Sequence, residues 1–131
     1  MRDRVGAARL ARLATRDVSG RLHLVPICFA LDGDTLYTAV DAKPKRSRKL
    51  RRLENVRADP DVCILVDHYE EDWSQLWWIR LRGRARVLDE GPERERAVGL
   101  LKAKYEQYRG DPLGGPVIGV EIDEWHNWTA R

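Results

Sequence analysis

The chain has 131 residues, which fits one domain, residues 1–131, rather than two. Hydrophobic residues make up 43% of it and charged residues 34%, which excludes a disordered chain. No stretch approaches the ~20 apolar residues of a membrane-spanning helix, and residues 1–17 lack the apolar core of a secretory signal. The two cysteines, Cys28 and Cys63, lie in apolar runs, so we expect neither a disulfide scaffold nor a cysteine-based zinc site, and we expect a reducing cytoplasm.

Positive charge is concentrated in the first half of the chain. The net charge is only +3, but residues 1–57 hold 14 Lys or Arg against 6 Asp or Glu, and residues 58–131 hold 10 against 15. Residues 43–52 (KPKRSRKLRR), called the basic segment below, contain seven basic residues and no acid. This concentration predicts an anionic partner: a phosphate, a polyacid or a nucleic acid.

The first half of the chain predicts a helix followed by a β-hairpin. Residues 5–14 favour a short helix that runs into a strand, and residues 23–31 (HLVPICFAL) form an apolar, partly β-branched strand. A tight turn is predicted at Asp32–Asp34, because Asp-Gly tolerates the positive φ that such a turn requires. The return strand covers residues 35–41.

The second half predicts two helices and three strands. Leu50, Leu53 and Val56 recur at helical spacing, which indicates a helix over residues 47–55. Strands are predicted over residues 62–70, 77–89 and 117–129, and a helix begins at Pro92, with the buried stripe Ala97, Leu101, Tyr105 and Tyr108. About six strands joined by hairpins indicate a mainly β fold, a small antiparallel barrel with peripheral helices.

The basic segment is the strongest chemical signal. It follows a strand and opens a helix, where free backbone N–H groups and the helix dipole favour phosphate binding. Ser47 offers both a helix cap and a hydroxyl donor. A solvated helix face explains the same pattern equally well.

Two other charged patterns favour a structural explanation. The arginines at positions 80, 82, 84 and 86 alternate with apolar residues on one strand, and we expect them to be exposed or paired with acids on a neighbouring strand. Residues 67–72 (DHYEED) contain cation ligands, but adjacent strand residues point to opposite faces. No metal site is predicted.

The chain has five tryptophans, in the clusters Trp73, Trp77 and Trp78 and Trp125 and Trp128. Such rings are core or interface anchors, and they also suit the planar face of an aromatic cofactor. The sequence has no GxSxG, P-loop, GxGxxG or Cys/His pairing. An enzyme with this sequence would therefore rely on a cofactor for its chemistry.

Five motifs in order carry a family resemblance: Arg12–Thr15, Pro26–Phe29, Asp32–Tyr37, Arg46–Leu50 and Asp59–Val66, with residues 67–78 similar to a segment of one subgroup. Over residues 9–89 the chain resembles the pyridoxamine-phosphate-oxidase-like split-barrel family. Within that family it is most similar to the group that depends on coenzyme F420.

The resemblance implies a six-stranded antiparallel split β-barrel, the FMN-binding split barrel, that forms a homodimer with the cofactor in a groove between subunits. Cofactor contacts are then expected along two strands, in the basic segment and at an aromatic residue of the other subunit: Pro26, Ile27, Cys28, Phe29, Thr38 and Ala39 at the ring, Lys43, Lys45, Arg46, Ser47 and Lys49 at the phosphate, and Trp77 or Trp78. Typical members have Lys and Asn where Arg46 and Lys49 stand, so the detailed phosphate contacts differ.

The function expected from the resemblance is an F420-dependent oxidoreductase that transfers hydride between the deazaflavin and a small organic substrate. Two alternatives are an FMN-binding oxidoreductase of the same family and a flavin or deazaflavin carrier without turnover. A nucleic-acid-binding barrel is less favoured, because the basic segment contains no aromatic residue. No catalytic residue is assigned, and neither nucleic acid nor membrane is an expected partner.

Overall fold

The computed structural model describes residues 1–40 and 46–130, and for residues 46–50 it describes the backbone. In this part of the chain the helices are α1 (Arg2–Ala7), α2 (Arg46–Ala58) and α3 (Pro92–Lys104). None of them is long and apolar enough to cross a membrane. The strands are β1 (Ala11–Arg16), β2 (Leu22–Ile27), β3 (Ala30–Asp32), β4 (Thr35–Ala39), β5 (Asp61–His68), β6 (Trp77–Leu88) and β7 (Val117–Thr129).

The strands form one antiparallel sheet in the order β2-β1-β5-β6-β7-β4-β3. The two edge strands, β2 and β3, are consecutive in the chain and are separated only by Cys28 and Phe29. Three peptide steps span at most about 11 Å, so the two edges must approach each other. The sheet therefore curls into the expected mainly β split barrel.

The main core fills the inside of this curled sheet. Alternate residues of the strands point inward, among them Leu13, Ile64, Leu81 and Val120, each at most 1% exposed. Phe29, in the crossing between the edge strands, is also completely buried there. Helix α2 packs at one end, where the Asn55 side chain donates a hydrogen bond to Thr15 Oγ1 (3.1 Å).

A second core lies outside the sheet, beneath α3. Ala97 and Leu101 of that helix pack with Tyr37 and Val117 of the sheet. The Tyr37 hydroxyl donates a 2.7 Å hydrogen bond to Glu93, which fastens the first turn of α3 to β4. One outer side of the barrel is thus covered by a helix.

The outer side of β2, β1, β5 and the first half of β6, called the open face below, is largely uncovered. Its outward side chains are half-buried or exposed, and Leu22 and Leu24 are 72% and 69% exposed. Apolar residues such as Ala14 and Leu65 alternate there with arginines. An apolar sheet face of this kind is a common interface between subunits.

The structure corrects two details of the predicted elements. The single strand expected over residues 23–31 is β2 and β3, so seven strands are described instead of six. The chain must leave one sheet edge and join the other at Cys28 and Phe29, and local sequence does not encode that crossing. The helix expected over residues 5–14 ends at Ala7, because burial from Ala11 onward alternates with the period of a strand. The predicted turn at Asp32–Asp34 and the last strand are confirmed.

Gly83 is required where β6 and β7 approach closely at a bulge. A Cβ atom there would clash with the backbone carbonyl of Glu121 and lie 2.9 Å from Cγ1 of Val120. We expect Gly83→Ala to lower the free energy of unfolding by about 1–3 kcal/mol, the usual cost of overpacking. Urea denaturation measures this change.

Gly99→Ala is the matched control, because Gly99 lies in α3 with no neighbouring atom within 4 Å of an added Cβ. Alanine should raise the free energy of unfolding by up to about 1 kcal/mol through its helix propensity. Equal stability of the two variants would contradict the close approach at Gly83.

Candidate functional site

A cavity of about 320 Å³, called the α3 cavity below, opens where β2 ends and α3 ends. It is lined by two residues from the β-sheet side and three from the turn after α3: Arg9 and Cys28, and Tyr105, Gln107 and Tyr108. Its size lies at the lower end of the roughly 300–1,000 Å³ of small-molecule sites. The α3 cavity therefore suits part of a cofactor or a small substrate.

Lys104 places a buried amine beside this cavity. Its Nζ atom lies 3.9 Å from the centre of the Phe29 ring, and within the described chain it has no hydrogen-bond partner. Burial and the positive charge of Arg9 lower the pKa of Lys104 to about 8, against an opposing influence of Cys28. The amine therefore changes protonation not far above neutral pH.

A second cationic atom is buried close by. Nε of Arg52, from α2, is buried and lacks a partner among the described residues. Burial lowers the pKa of Arg52, whereas Tyr108 of the cavity wall raises it, which places the guanidinium near that ring. Unpaired buried cationic atoms are costly unless an anion satisfies them, so this region favours an anionic ligand.

Tyr105 ties the crossing between the edge strands to α3. Its hydroxyl accepts a 3.0 Å hydrogen bond from the Phe29 amide and donates one of 3.1 Å to the carbonyl of Arg9. The ring packs edge-on against Tyr108, with centroids 5.6 Å apart. The cavity wall is therefore held by hydrogen bonds between distant parts of the chain.

An aromatic groove of about 350 Å³ lies on the open face, lined mainly by Leu65, Leu76, Trp77, Trp78 and Trp128. The Trp78 ring stacks on His126, with centroids 5.7 Å apart, and the Arg80 guanidinium lies 5.5 Å from its centre. At the rim, Arg12 donates to Asp67 at 3.1 Å. The groove offers the flat surface that a planar ligand would stack on.

Strand register places the two cavities at the same end of the sheet. Ile27 pairs with Ala11 on β1, and Asp67 at the corresponding end of β5 pairs with Trp78. Three strand spacings separate β2 from β6, about 14 Å along the sheet. Neither cavity alone encloses a large cofactor. A cofactor that reached from the α3 cavity to the aromatic groove would need a further protein surface to cover it.

The residues expected at the cofactor ring take different positions. Ile27 and Phe29 point into the core, so a ligand meets only their backbone, and Pro26 is exposed on the open face. Thr38 is buried and donates a 2.8 Å hydrogen bond to the Cys28 carbonyl. Cys28 and Ala39, the other two residues expected at the cofactor ring, pack against the second core beneath α3. Trp77 stacks on His68 near the end of the barrel, and Trp78 faces outward.

The residues expected at the phosphate lie largely outside the part of the chain that the structure describes. Lys43 and Lys45 fall outside the described residues, and Arg46, Ser47 and Lys49 lie in the first turn of α2 with side chains that are not described. The predicted helix in this region is confirmed and is longer, ending at Ala58. The phosphate contacts remain a prediction from the sequence.

Sequence reasoning missed the cationic and aromatic wall of the α3 cavity. Lys104 follows Leu101 by three residues, so it continues the buried stripe of α3, and a lysine in an apolar stripe is the signal that marks it. Arg52 lies at the end of the basic segment, which the sequence did single out, whereas Arg9 carried no comparable local pattern. Their convergence depends on how α1, α2 and α3 meet the sheet.

Two of the four arginines of β6 pair with acids, and Arg82 is exposed, as expected. Arg84 donates to Asp61 of β5 at 3.0 Å, and Arg86 binds Glu93 at 2.5 Å. Arg86 and the Tyr37 hydroxyl lower the pKa of Glu93 to about 2. These two arginines therefore act in holding the sheet and α3 together rather than as free positive charge.

Comparison with known proteins now identifies the family. The family model described as pyridoxamine 5′-phosphate oxidase matches residues 1–129. The chain belongs to this family. No curated protein matches the chain.

Solved structures share the fold of this pyridoxamine 5′-phosphate oxidase family member. A conserved hypothetical protein of Mycobacterium tuberculosis has a TM-score of 0.80 at 19% identity, covering 98% of this chain and 82% of that one. A FAD-binding protein of Mesorhizobium loti has a TM-score of 0.72 at 20% identity, and the match covers 96% of this chain and 89% of that one. The heme storage protein HutZ of Vibrio cholerae has a TM-score of 0.72 at 14% identity, and the match covers 93% of this chain and 86% of that one. The same fold thus occurs in proteins described as flavin-binding and as heme-storing.

The buried amine of Lys104 makes stability depend on pH. Its pKa is lower in the folded chain, about 8, than the usual 10.5, so between these values the unfolded chain binds more protons and stability rises with pH. We expect the free energy of unfolding to rise by about 1 kcal/mol from pH 8 to pH 9.5, allowing for solvent screening.

Lys104→Met should remove that rise, as measured by urea denaturation at the two pH values. Comparing the variant with the unaltered chain removes the contribution of other titrating groups to the change in the free energy of unfolding. A rise of the same size in both proteins would contradict a buried, unpaired amine at this position.

Proposed function

We propose that the chain is an oxidoreductase that holds coenzyme F420, with FMN as the alternative cofactor, in the region between the α3 cavity and the open face. The observation that carries the proposal is the pair of buried cationic atoms without hydrogen-bond partners in the described chain, Lys104 Nζ and Arg52 Nε. They lie near the strands that the family resemblance assigns to the cofactor ring. A phosphate-bearing ligand would satisfy both charges.

The residues present fit such a cofactor in three respects. The basic segment supplies seven positive charges in ten residues for a phosphate and an acidic tail. Cys28 and Ala39 form a half-buried apolar surface for one side of a ring, and the Trp78 surface of a second copy would suit the other. When bound in its reduced form, the cofactor supplies hydride, and the chain would orient the ring and exclude water.

A second copy of the chain is part of this proposal. The α3 cavity and the aromatic groove are open and about 14 Å apart along the sheet, so one chain leaves the cofactor partly uncovered. Open faces of two copies would bury Leu22 and Leu24, and Trp77 or Trp78 of the partner would close the site. The five tryptophans and the apolar open face support this arrangement.

F420 is preferred to FMN because of its charge. FMN ends at its phosphate, whereas F420 continues into several glutamates that need positive charge beyond it. Arg84 and Arg86 are paired with acids, so the tail would rely on the basic segment and on Arg82. A flavin or deazaflavin carrier without turnover would use the same site. Only hydride transfer to an acceptor substrate distinguishes the oxidoreductase from such a carrier.

Cofactor titration tests the proposal. We expect F420 to bind more tightly than FMN at low salt and the gap to narrow as salt rises, because exposed ion pairs contribute about 0.2–1 kcal/mol each and are screened over roughly 8–10 Å. Fluorescence titration of F420, FMN and FAD and absorbance titration of heme measure the four affinities. Tighter FMN binding at every salt concentration would exclude the F420 assignment, and binding of heme alone would exclude redox use of a flavin.

Arg46→Ala combined with Lys49→Ala is the matched variant for this titration. Loss of two charge-assisted phosphate contacts, about 1.5–3 kcal/mol each, should raise the Kd of either cofactor at least about tenfold. Arg57→Ala, in the last turn of α2 and paired with Asp89 at 3.7 Å, is the control that should leave the Kd unchanged.

Sedimentation velocity at micromolar concentration tests the second copy. The chain should sediment as a dimer of the 15.2 kDa protomer, and Leu24→Glu should produce the monomer, because a carboxylate cannot be buried in an apolar interface without a large desolvation cost. Val18→Glu is the control, since Val18 is 90% exposed in the turn between β1 and β2. A monomer for the unaltered chain would contradict the dimer while leaving cofactor binding to be judged by titration.

A further inference from the structure

We propose that the aromatic groove binds a small planar aromatic carboxylate, with the ring of the ligand against the tryptophans and its carboxylate on Arg80. Under the proposed function this ligand would be the hydride acceptor. That role rests on the proposed function, whereas the binding itself rests on the geometry and charge of the groove.

Strand register builds the groove from three adjacent strands. Asp67 of β5 pairs with Trp78 of β6, and Trp78 also pairs with Trp128 of β7. Paired residues of antiparallel strands point to the same side of the sheet. One row across the sheet therefore carries a carboxylate and two indole rings. In the next row along β6, Arg80 lies on the same side as this row.

The aromatic surface is accessible and its rings are held in place. Trp128 is 45% exposed, and the Trp78 ring stacks on His126 with centroids 5.7 Å apart. Together with Leu65 and Leu76 these rings line about 350 Å³, a volume at the lower end of small-molecule sites. A flat ligand of one or two rings would stack on an indole there and bury its apolar surface.

Arg80 supplies the groove with a positive charge. Its guanidinium lies 5.5 Å from the centre of the Trp78 ring, and among the described residues it has no carboxylate partner. The other described lining residues that carry charge are paired, since Asp67 is held in its ion pair at the rim and His68 contacts Glu70. A free guanidinium beside flat rings is complementary to an aromatic carboxylate, which arginine can bind through two hydrogen bonds.

The same geometry disfavours a cationic ligand. Aromatic rings also bind quaternary ammonium groups, but the Arg80 guanidinium already lies near the Trp78 ring and would repel a second cation. The Trp77 ring likewise has the Arg4 guanidinium 5.1 Å from its centre. The charge of the groove therefore separates anionic from cationic aromatic ligands.

The position of the groove accounts for the acceptor role. In the proposed dimer the Trp78 surface of one copy would lie against the cofactor ring of the other, so a ligand in the groove would border that ring. Arg80 would orient the ligand through its carboxylate, and the tryptophans would exclude water from it. The substrate class would thus be set on the open face, apart from the α3 cavity.

Titration of the full chain with 2-naphthoate, 2-naphthamide and 2-naphthyltrimethylammonium tests the site. Indole N–H signals in nuclear magnetic resonance spectra report binding, and Trp128→Ala assigns one of them by its loss. We expect 2-naphthoate to shift the Trp128 signal and to bind more tightly than the amide, and the cation to bind most weakly. No cofactor is added, so failure of F420 or FMN binding leaves this result interpretable.

Arg80→Gln should lower the ratio of the 2-naphthoate affinity to the 2-naphthamide affinity about fivefold, because one partly exposed ion pair is lost. Arg80→Lys keeps the charge and should retain most of the ratio. Arg84→Gln is the matched control on the same strand and should leave the ratio unchanged, because Arg84 pairs with Asp61 and is not among the described residues that line the groove. Added salt should weaken binding of 2-naphthoate and not that of the amide.

Three results would each overturn the proposal: a Trp128 signal that 2-naphthoate does not shift, tighter binding of the cationic probe, or an affinity ratio unaffected by Arg80→Gln. Circular dichroism verifies that each variant is folded. If Arg80→Gln fails to fold, the salt dependence of the unaltered chain decides, and an equal dependence for the acid and the amide would contradict a carboxylate bound to Arg80.

Discussion

The whole architecture depends on the two-residue crossing that joins the edge strands of the sheet. Cys28 and Phe29 carry the chain from β2 to β3, and a link this short exists only if the sheet curls until its edges meet. Hydrogen bonds hold the crossing from two sides, from Thr38 to the Cys28 carbonyl at 2.8 Å and from the Phe29 amide to Tyr105 at 3.0 Å. Barrel closure, core and candidate site therefore share one local constraint.

The same crossing assigns neighbouring residues to opposite environments. Phe29 turns inward and is completely buried in the barrel, whereas Cys28 turns outward beneath the end of α3. Side-chain alternation makes this division unavoidable in extended chain. It explains how a residue at the edge of the core also lines a cavity open to ligands.

The two outer sides of the barrel have different roles. On one side, α3 is fastened by the hydrogen bond from Tyr37 to Glu93 and by the ion pair of Glu93 with Arg86, in which the two charges compensate each other. On the other side, the open face keeps Leu22, Leu24 and the Trp78 surface available. Among the described residues, the buried cationic atoms without a hydrogen-bond partner are those of Lys104 and Arg52, near the boundary between helices and sheet. That imbalance is the chemical reason to look for an anionic ligand there.

Local patterns in the sequence determined the β-rich character, the turn at Gly33 and the last strand. Alternating apolar residues and Asp-Gly act within a few residues, so they can be recognised without the fold. The charge pairing of Arg84 with Asp61 was also foreseeable, because β-strands bring complementary charges into register, whereas the pairing of Arg86 with Glu93 depends on the docking of α3. The family resemblance added the split barrel and the candidate cofactor residues.

Only the tertiary structure decided where the strand over residues 23–31 divides and which side chains surround Cys28. Arg9, Arg52 and Lys104 come from segments more than 40 residues apart, and no periodicity links them. Their proximity follows from sheet closure and from the docking of α3, which are long-range consequences of burying the core. Local sequence therefore determined most of the elements, while packing determined the division of that strand, the cavity and its charge.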